Sequence, residues 1–480
     1  MKRLRWYDLI TINLFWLGLN IRNTAVGSVF TPYLVAIFVP EKVMGTALGA
    51  ISAAGLVIAM LVQPAAGLLS DRSTSRFGRR RPFIFAGVLF DLLFLVAIAL
   101  AGNYWMLLVT TLLIQFSANV SHGPLQGLIP DLAPEDQRGR ASAIKAMMEL
   151  VPIILVGFTI AQLIGKGQLG WAVAVTGATL LLTMLLTMVF VKEEPLRERP
   201  ATSFKIPMLR VLGMLAGIAL GAVAGVVGGG LIGGLAGLIA WPLAGKTTGL
   251  LVAVGVGGVV AMIVAVVAGV WSGAYATLGR DALHQSPFTW WIVNRLLFLA
   301  AVTSIQGFAP FFLMYAFHVD AETAASMNGR LMEIIGVFVL LAAFAGGWIA
   351  DRLSRKGVVG CSGLFAGLGA FMLLGTIWAP NLTMVYLAGG VIGLGAGAFM
   401  TANWALGADL APAAEAGRYL GISNLAGAGA GIVGKGIGGP ILDYLNGQQP
   451  GLGYFAIFAG FAILFLLSIV SLVGVRTARR

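Results

Sequence analysis

The stretch AAGLLSDRSTSRFGRRR, from Ala65 to Arg81, decides how this chain is read. It ends an apolar run on a glycine, then presents an aspartate–arginine pair, a short polar loop and three arginines in a row. A second stretch, AGGWIADRLSRKG from Ala345 to Gly357, repeats the pattern far along the chain. Farther from each, DLAPEDQRGRASAI begins at Asp131 and DLAPAAEAGRYLGI at Asp409. The separation from Asp71 to Asp131 nearly equals that from Asp351 to Asp409. Two short motifs at matching offsets indicate a duplicated unit.

The surroundings of these motifs are apolar. Of 480 residues, 59% are hydrophobic and only 10% charged, more apolar surface than one soluble core of this length hides. Runs of about 20 apolar residues, each long enough to cross a hydrocarbon core of about 30 Å, recur from Ile10 to Val475. Their backbone groups must pair internally, so the runs are helices. The alternating segments of a β-barrel are absent. Lys2, Arg3 and Arg5 precede the first run without a short apolar region and cleavage site, so the first helix is expected to stay. One cysteine, Cys361, excludes an intramolecular disulfide and a cysteine-rich metal site. A net charge of +12 suits nucleic acid in a soluble protein; here it reports the bias of basic residues to the cytoplasmic side.

The runs map to helices at about 10–38, 44–70, 82–102, 104–132, 141–164 and 169–191, then two in an insert at 211–244 and 249–278. Six more follow at 289–316, 323–350, 358–377, 380–410, 418–444 and 451–475. The expected organisation is therefore a six-helix bundle over 1–192, a linker with two inserted spans over 193–285, and a second six-helix bundle over 286–480. With the N-terminus in the cytoplasm, 24 basic residues fall in inside segments, Lys145 among them. Only Lys42, Lys166, Lys246 and Arg330 fall outside. This imbalance places both termini in the cytoplasm and makes the insert cross an even number of times. The insert carries glycines at four-residue spacing, which allow close helix approach. They suit a hairpin packed on the bundle's flank, or a surface for self-association or a partner.

The repeated loops have the makings of a cytoplasmic gate. Gly67, Asp71, Arg72, Gly78, Arg79, Arg80, Asp131 and Arg140 supply it in the first half, and Asp351, Arg352, Asp409 and Arg418 in the second. Glycine permits tight helix contact, and the acids can pair with neighbouring arginines as the gate closes. SDRSTSRFGRRRPFI, from Ser70 to Ile84, resembles the loop between helices two and three of sucrose–proton symporters, in the glycoside–pentoside–hexuronide branch of the major facilitator superfamily. Thr31, Pro32 and Tyr33, and HGPLQGLIPDL from His122 to Leu132, are similar to that family's patterns. The resemblance covers nearly all of both halves but not the insert. It implies an all-α membrane protein of two pseudo-symmetric six-helix bundles, here with two added helices, about 14 in total.

Charges inside a bilayer are costly and mark function by default. They are Arg22, Asp91, Glu149, Arg295, Glu333 and Lys435, whose balance of three against three suggests pairing. In the fourth helix Gln115, Asn119, His122 and Gln126 step by four, three and four, which puts them on one face. Such a stripe suits a wet cavity and a hydroxyl-rich ligand, or plain helix–helix hydrogen bonds. Tyr33, Trp16 and Trp404 can stack on a sugar face, and Gln306 and Asn403 add polar groups. The sequence departs from its relatives at the coupling positions. Aligned through Gly123 and Pro124, the symporters carry an aspartate at Gln115 and an arginine at Gln126. The related melibiose permeases place an acid before the proline of helix two, where this chain has Gln63. Proton coupling therefore falls to Glu149, Glu333 or His122.

No nucleotide-binding motif or histidine cluster is present, so neither enzyme chemistry nor a cofactor is expected. The leading reading is a secondary transporter in the inner membrane, moving a small solute, a sugar or glycoside together with a proton, by alternating access. An exporter of amphipathic molecules and a pigment-delivery or assembly factor of the same fold are the alternatives. No nucleic acid is expected as a partner, and membrane lipid is.

Overall fold

The computed structural model describes residues 3–193, 195–196, 205–279, 286–410 and 429–475. These residues are helical almost throughout. The helices are α1 Trp6–Ala25, α2 Thr31–Phe38, α3 Met44–Ser70, α4 Arg81–Ala99, α5 Tyr104–Gln126, α6 Leu128–Leu132, α7 Arg138–Leu155, α8 Gln162–Ile164 and α9 Leu169–Phe190. After these come α10 Lys205–Leu278, α11 Ser286–Phe317, α12 Ala321–Arg352, α13 Arg355–Leu374, α14 Leu382–Leu410, α15 Gly438–Gln448 and α16 Leu452–Ser471. Capping fixes several starts: Asn103 accepts the Met106 N–H before α5, and Ser354 accepts the Gly357 N–H before α13.

Among the described residues, eleven helices are long and apolar enough to cross a bilayer, against about fourteen expected. The difference lies in three places. The run Trp6–Phe38 carries Asp8, Arg22 and several amides and is not among the eleven. The element Lys205–Leu278 counts once, although Gly245 (φ +89°) breaks it in two. The third is the run expected at 418–444, of which residues up to 428, Arg418 among them, lie outside the described residues.

Among the described residues three π-helical turns interrupt the regular pattern: Val26–Phe30 between α1 and α2, Val156–Ala161 after α7, and Ile432–Ile437 before α15. Such turns are rare and concentrate at functional positions.

The helices form two compact units that do not follow the chain halves. Unit 1 comprises Met1–Phe38, Val57–Val211 and Asp320–Gly336; unit 2 comprises Val39–Leu56, Leu212–Val319 and Val337–Arg480. Each unit thus takes in the first part of a helix, α3 or α12, whose remainder belongs to the other. In unit 1, α1 lies so close to α9 that a Cβ on Gly18 would collide with Thr183, and Gly87 of α4 meets the α5 backbone at Ser117 and Ser121. In unit 2, Phe298 of α11 stacks on Phe399 of α14, centroids 3.7 Å apart.

The glycine-rich insert is a hairpin turning at Gly245. Gly217, Gly221, Gly225, Gly229, Gly233 and Gly237 face the returning arm at Gly273, Gly269, Ala265, Ala261, Gly257 and Ala253. This is the hairpin that the spacing suits, and these six glycines serve it rather than an outer surface, whereas Gly230 and Gly234 face open space. The six are used up inside the hairpin, where backbone touches backbone. The second arm lies on its own unit, with Gly258 against Ile441 and Val259 against Gly460.

Candidate functional site

At one end of each unit, an arginine bridges two aspartates. In unit 1, Arg80 Nε is 2.5 Å from Asp131 Oδ2 and its Nη2 is 2.9 Å from Asp71 Oδ1. Its Nη1 donates to the Pro124 carbonyl at 3.2 Å. Arg79 adds a second pair to Asp131, at 2.5 Å. In unit 2, Arg355 Nη1 is 2.6 Å from Asp409 and Nη2 is 3.3 Å from Asp351. The same three helix ends are thus tied in both units, the structural counterpart of the sequence repeat. Each bridge lies within one unit.

Three gate expectations change. The second-half arginine in the bridge is Arg355; Arg352 instead lies 4.0 Å from the Trp348 ring centre. The arginine sits nine residues after Asp71 but only four after Asp351, so motif alignment pointed to the wrong one. The pairing of Arg80 also needs Gly127, where a Cβ would collide with the guanidinium. Last, Glu193 accepts the backbone N–H groups of Arg80 and Arg81 at 2.9 and 3.2 Å. An acid at a helix N-terminus satisfies otherwise unpaired donors. Gly78 has φ +100° and leaves the space that Glu193 fills. Gly67 packs on Gly123 across α3 and α5, and Arg140 is exposed.

Within the spans, the six charges do not pair as three couples. Arg22 is 1% exposed and Asp91 fully buried. Nη2 and Nε of Arg22 donate to Asp91 Oδ2 at 2.6 and 2.8 Å, and Nη1 donates to Asn23 Oδ1 at 2.7 Å. The expected role of Arg22 in solute binding meets a guanidinium already committed. Tyr33 is likewise committed: it is 7% exposed and its hydroxyl donates to Glu322 at 2.9 Å. Glu149 pairs with Lys145 at 3.3 Å. Among the described residues no ion pair reaches Arg295, Glu333 or Lys435.

Some of the remaining candidates meet in two clusters, one per unit, and the others lie apart from them. In unit 1 the ring of Trp16 is central. His122 meets it edge-on at 5.2 Å, and Lys145 Nζ stands 4.1 Å from its centre. Gln126 Nε2 lies 3.5 Å from His122 Nε2. Lys145, counted above with the cytoplasmic loop, is two turns inside α7 and belongs to this cluster; nothing in its loop-like neighbourhood, RGRASAIK, signalled that. Farther along the stripe, Asn119 donates to the Gln115 carbonyl at 2.7 Å, a bond within its own helix. Glu333 of α12 packs against Gly157, in the π turn after α7.

In unit 2, Arg295 Nη1 donates to Asn403 Oδ1 at 3.1 Å and its guanidinium lies 5.2 Å from the Trp404 ring centre. Asn403 is held from behind: its amide donates to Asn294 at 2.7 Å, and Trp291 Nε1 donates to its carbonyl at 2.9 Å. The Arg295 Nε is buried without a partner. Gln306 is eleven residues farther along α11, three helical turns, hence on the same face. Next to it, Gly307 makes room for Lys435, whose stem crosses the bare glycine from the π turn Ile432–Ile437. Each unit therefore holds an aromatic ring, amides and a cation, the chemistry of a site for a hydroxylated or anionic solute.

Comparisons with known proteins bear on this arrangement. The family model described as Major Facilitator Superfamily matches residues 19–280, 213–435 and 292–479. Over 173 residues the chain is 27% identical to the minor myo-inositol transporter IolF of Bacillus subtilis, covering 36% of this chain and 37% of that one. Over 112 residues it is 32% identical to the sucrose transport protein SUT1 of Oryza sativa subsp. japonica, covering 19% and 21%. The chain thus spans well under half the length of these relatives. A crystal structure of a D-xylose–proton symporter superposes with a TM-score of 0.64 at 15% identity, covering 97% of both chains, which shows a shared fold. With its family model matched over most of the length and its repeat mirrored in three dimensions, the chain belongs to the Major Facilitator Superfamily, as a multi-pass membrane protein.

Proposed function

We propose that this protein is a secondary transporter that carries a sugar or glycoside across the cytoplasmic membrane by alternating access, driven by a proton gradient. The observation that carries the reading is the pair of clusters around Trp16 and Trp404. In unit 2 the Trp404 ring, 38% exposed, offers a face for a sugar's apolar side, and in unit 1 the exposed Gln126 amide suits its hydroxyls, while the buried Trp16 and Asn403 hold Lys145 and Arg295 in place behind them. The printed names of the relatives, a myo-inositol and a sucrose transporter, lie in the same solute class. Both termini face the cytoplasm in this reading, following the basic residues.

Glu333 carries the proton. Unlike Glu149 it has no cationic partner among the described residues, and it lies at a π turn, where a helix adjusts easily. The neutral Gln115 and Gln126 leave the task to a residue elsewhere. His122 and Glu149 stay with Trp16 and Lys145 and shape the solute site.

The test is uptake into liposomes of a panel of labelled mono- and disaccharides, with and without an inward proton gradient. Accumulation of a sugar that requires the gradient supports the proposal. Equilibration alone would leave a facilitator. A second reading, an anionic solute, is favoured by Arg295 and Lys435, which have no ion-pair partner among the described residues; sugar acids and phosphates in the same panel separate the two.

A further inference from the structure

A cavity of about 550 Å³ opens in unit 2 at the end away from the Arg355 bridge, bounded by the start of α3, the end of α11, α15 and the start of α16. Pockets for small organic ligands occupy about 300–1,000 Å³. Its wall mixes two tyrosine rings, Tyr315 and Tyr454, with the amide of Asn446 and the carboxylates of Glu41 and Asp443. The two rings lie 5.0 Å apart, tilted by 30°. His318, on the rim, holds φ at +51°, the only non-glycine residue in the left-handed region among those described. It directly follows Phe317, the last residue of α11, where a left-handed residue is a common helix ending.

One wall residue also fastens a helix. Asp443 accepts the Gly45 N–H at 2.9 Å and the Thr46 N–H at 2.6 Å. These are donors of the first turn of α3. Any ligand whose hydroxyls reach Asp443 competes with that fastening.

We propose that this cavity is a second solute site, outside the two tryptophan clusters, that takes a neutral polyhydroxylated molecule and loosens the first turn of α3 as it binds. The half-buried Tyr315 ring, the Asn446 NH2 (its Oδ1 already accepts the Gly453 N–H at 2.8 Å) and the carboxylate acceptors suit sugar faces and sugar hydroxyls. A single lysine, Lys42, stands against the two carboxylates, a balance that disfavours anions. The ligand class rests on the sugar-transport reading above. With the N-terminus in the cytoplasm the cavity faces outside, so the solute meets it before the transport site.

The experiment uses the full chain with Cys361→Ser and Val319→Cys, in right-side-out vesicles labelled by a membrane-impermeant maleimide. Sucrose, glucose and myo-inositol are added separately, and uptake of each is measured in the same vesicles. The expected result is that at least one sugar slows labelling several-fold. Asn446→Ala and, separately, Glu41→Gln should remove that protection, while Asn403→Ala leaves it. Protection that survives both cavity variants but disappears with Asn403→Ala would overturn the site, because the effect would then originate at the transport cluster. Uptake of a sugar that never protects would overturn it while leaving the sugar-transport reading intact. Protection without uptake would support the cavity and sink the transport reading. Neither uptake nor protection by any sugar would overturn both.

Discussion

Removing the carboxylate of Asp91 should destabilise the protein severely, whereas removing both members of its ion pair should not. At an N–O distance of 2.6 Å and an effective dielectric constant of about 20, the attraction between Arg22 and Asp91 is about 6 kcal/mol. Both side chains are almost wholly withdrawn from solvent, so each charge also carries several kcal/mol of lost hydration, and the pair as a whole comes out close to neutral. Asp91→Ala strands a buried guanidinium, for which the cost is about 3–5 kcal/mol. That corresponds to roughly two to nearly four orders of magnitude in the ratio of folded to unfolded protein. Arg22→Met combined with Asp91→Leu replaces the pair by apolar volume and should return to within about 1 kcal/mol of the parent. Denaturant unfolding in mixed micelles, followed by tryptophan fluorescence, measures all three. If Asp91→Ala unfolds like the parent, or the double variant is worse than the single, the pair does not have the structural role described. Uptake by the double variant adds a second readout. A protein that folds normally but carries no solute would return Arg22 to the solute site.

Three further outcomes follow from the geometry. Glu333→Gln should abolish gradient-driven accumulation while sparing sugar counterflow, and an equal loss of both would remove Glu333 as the proton carrier. Gly127→Ala drives a methyl into the Arg80 guanidinium and should cost about 1–3 kcal/mol of stability in a thermal melt, whereas Gly139→Ala, with open space around it, should cost far less. Gly221→Leu should wedge the insert's arms apart at Gly269 and expose the hairpin to protease, and Gly230→Leu, which meets nothing, should not.

Much of this architecture was legible in the chain. The repeated Asp–Arg motifs fixed the fold, because a helix end that must satisfy its own charges needs the same residues each time it recurs. Glycine periodicity located the hairpin, because close backbones leave no other choice at those positions. What stayed hidden depended on partners rather than patterns. Arg22 and Asp91 were identifiable as intramembrane charges, yet only three-dimensional proximity shows that they neutralise each other and that Arg295, Glu333 and Lys435 have no such partner among the described residues. Arg355 escaped because the loop after Asp351 is shorter than the one after Asp71, which shifts the arginine out of alignment. Lys145 escaped because a basic residue near a loop reads as an anchor whether or not its helix has already begun. The π turns have no residue signature, since they express a mismatch between helix register and packing.

The exchange of helix segments between the units has a consequence for where the chain can be divided. Residues 39–56 complete the unit built mainly from the second half, and residues 320–336 complete the other. A single repeat, released from its twin, would lack one of its own structural pieces and expose the place where it belongs. Cutting the chain between its halves would therefore leave each compact unit without a segment that packs in it. The seam of the molecule and the seam of the sequence do not coincide.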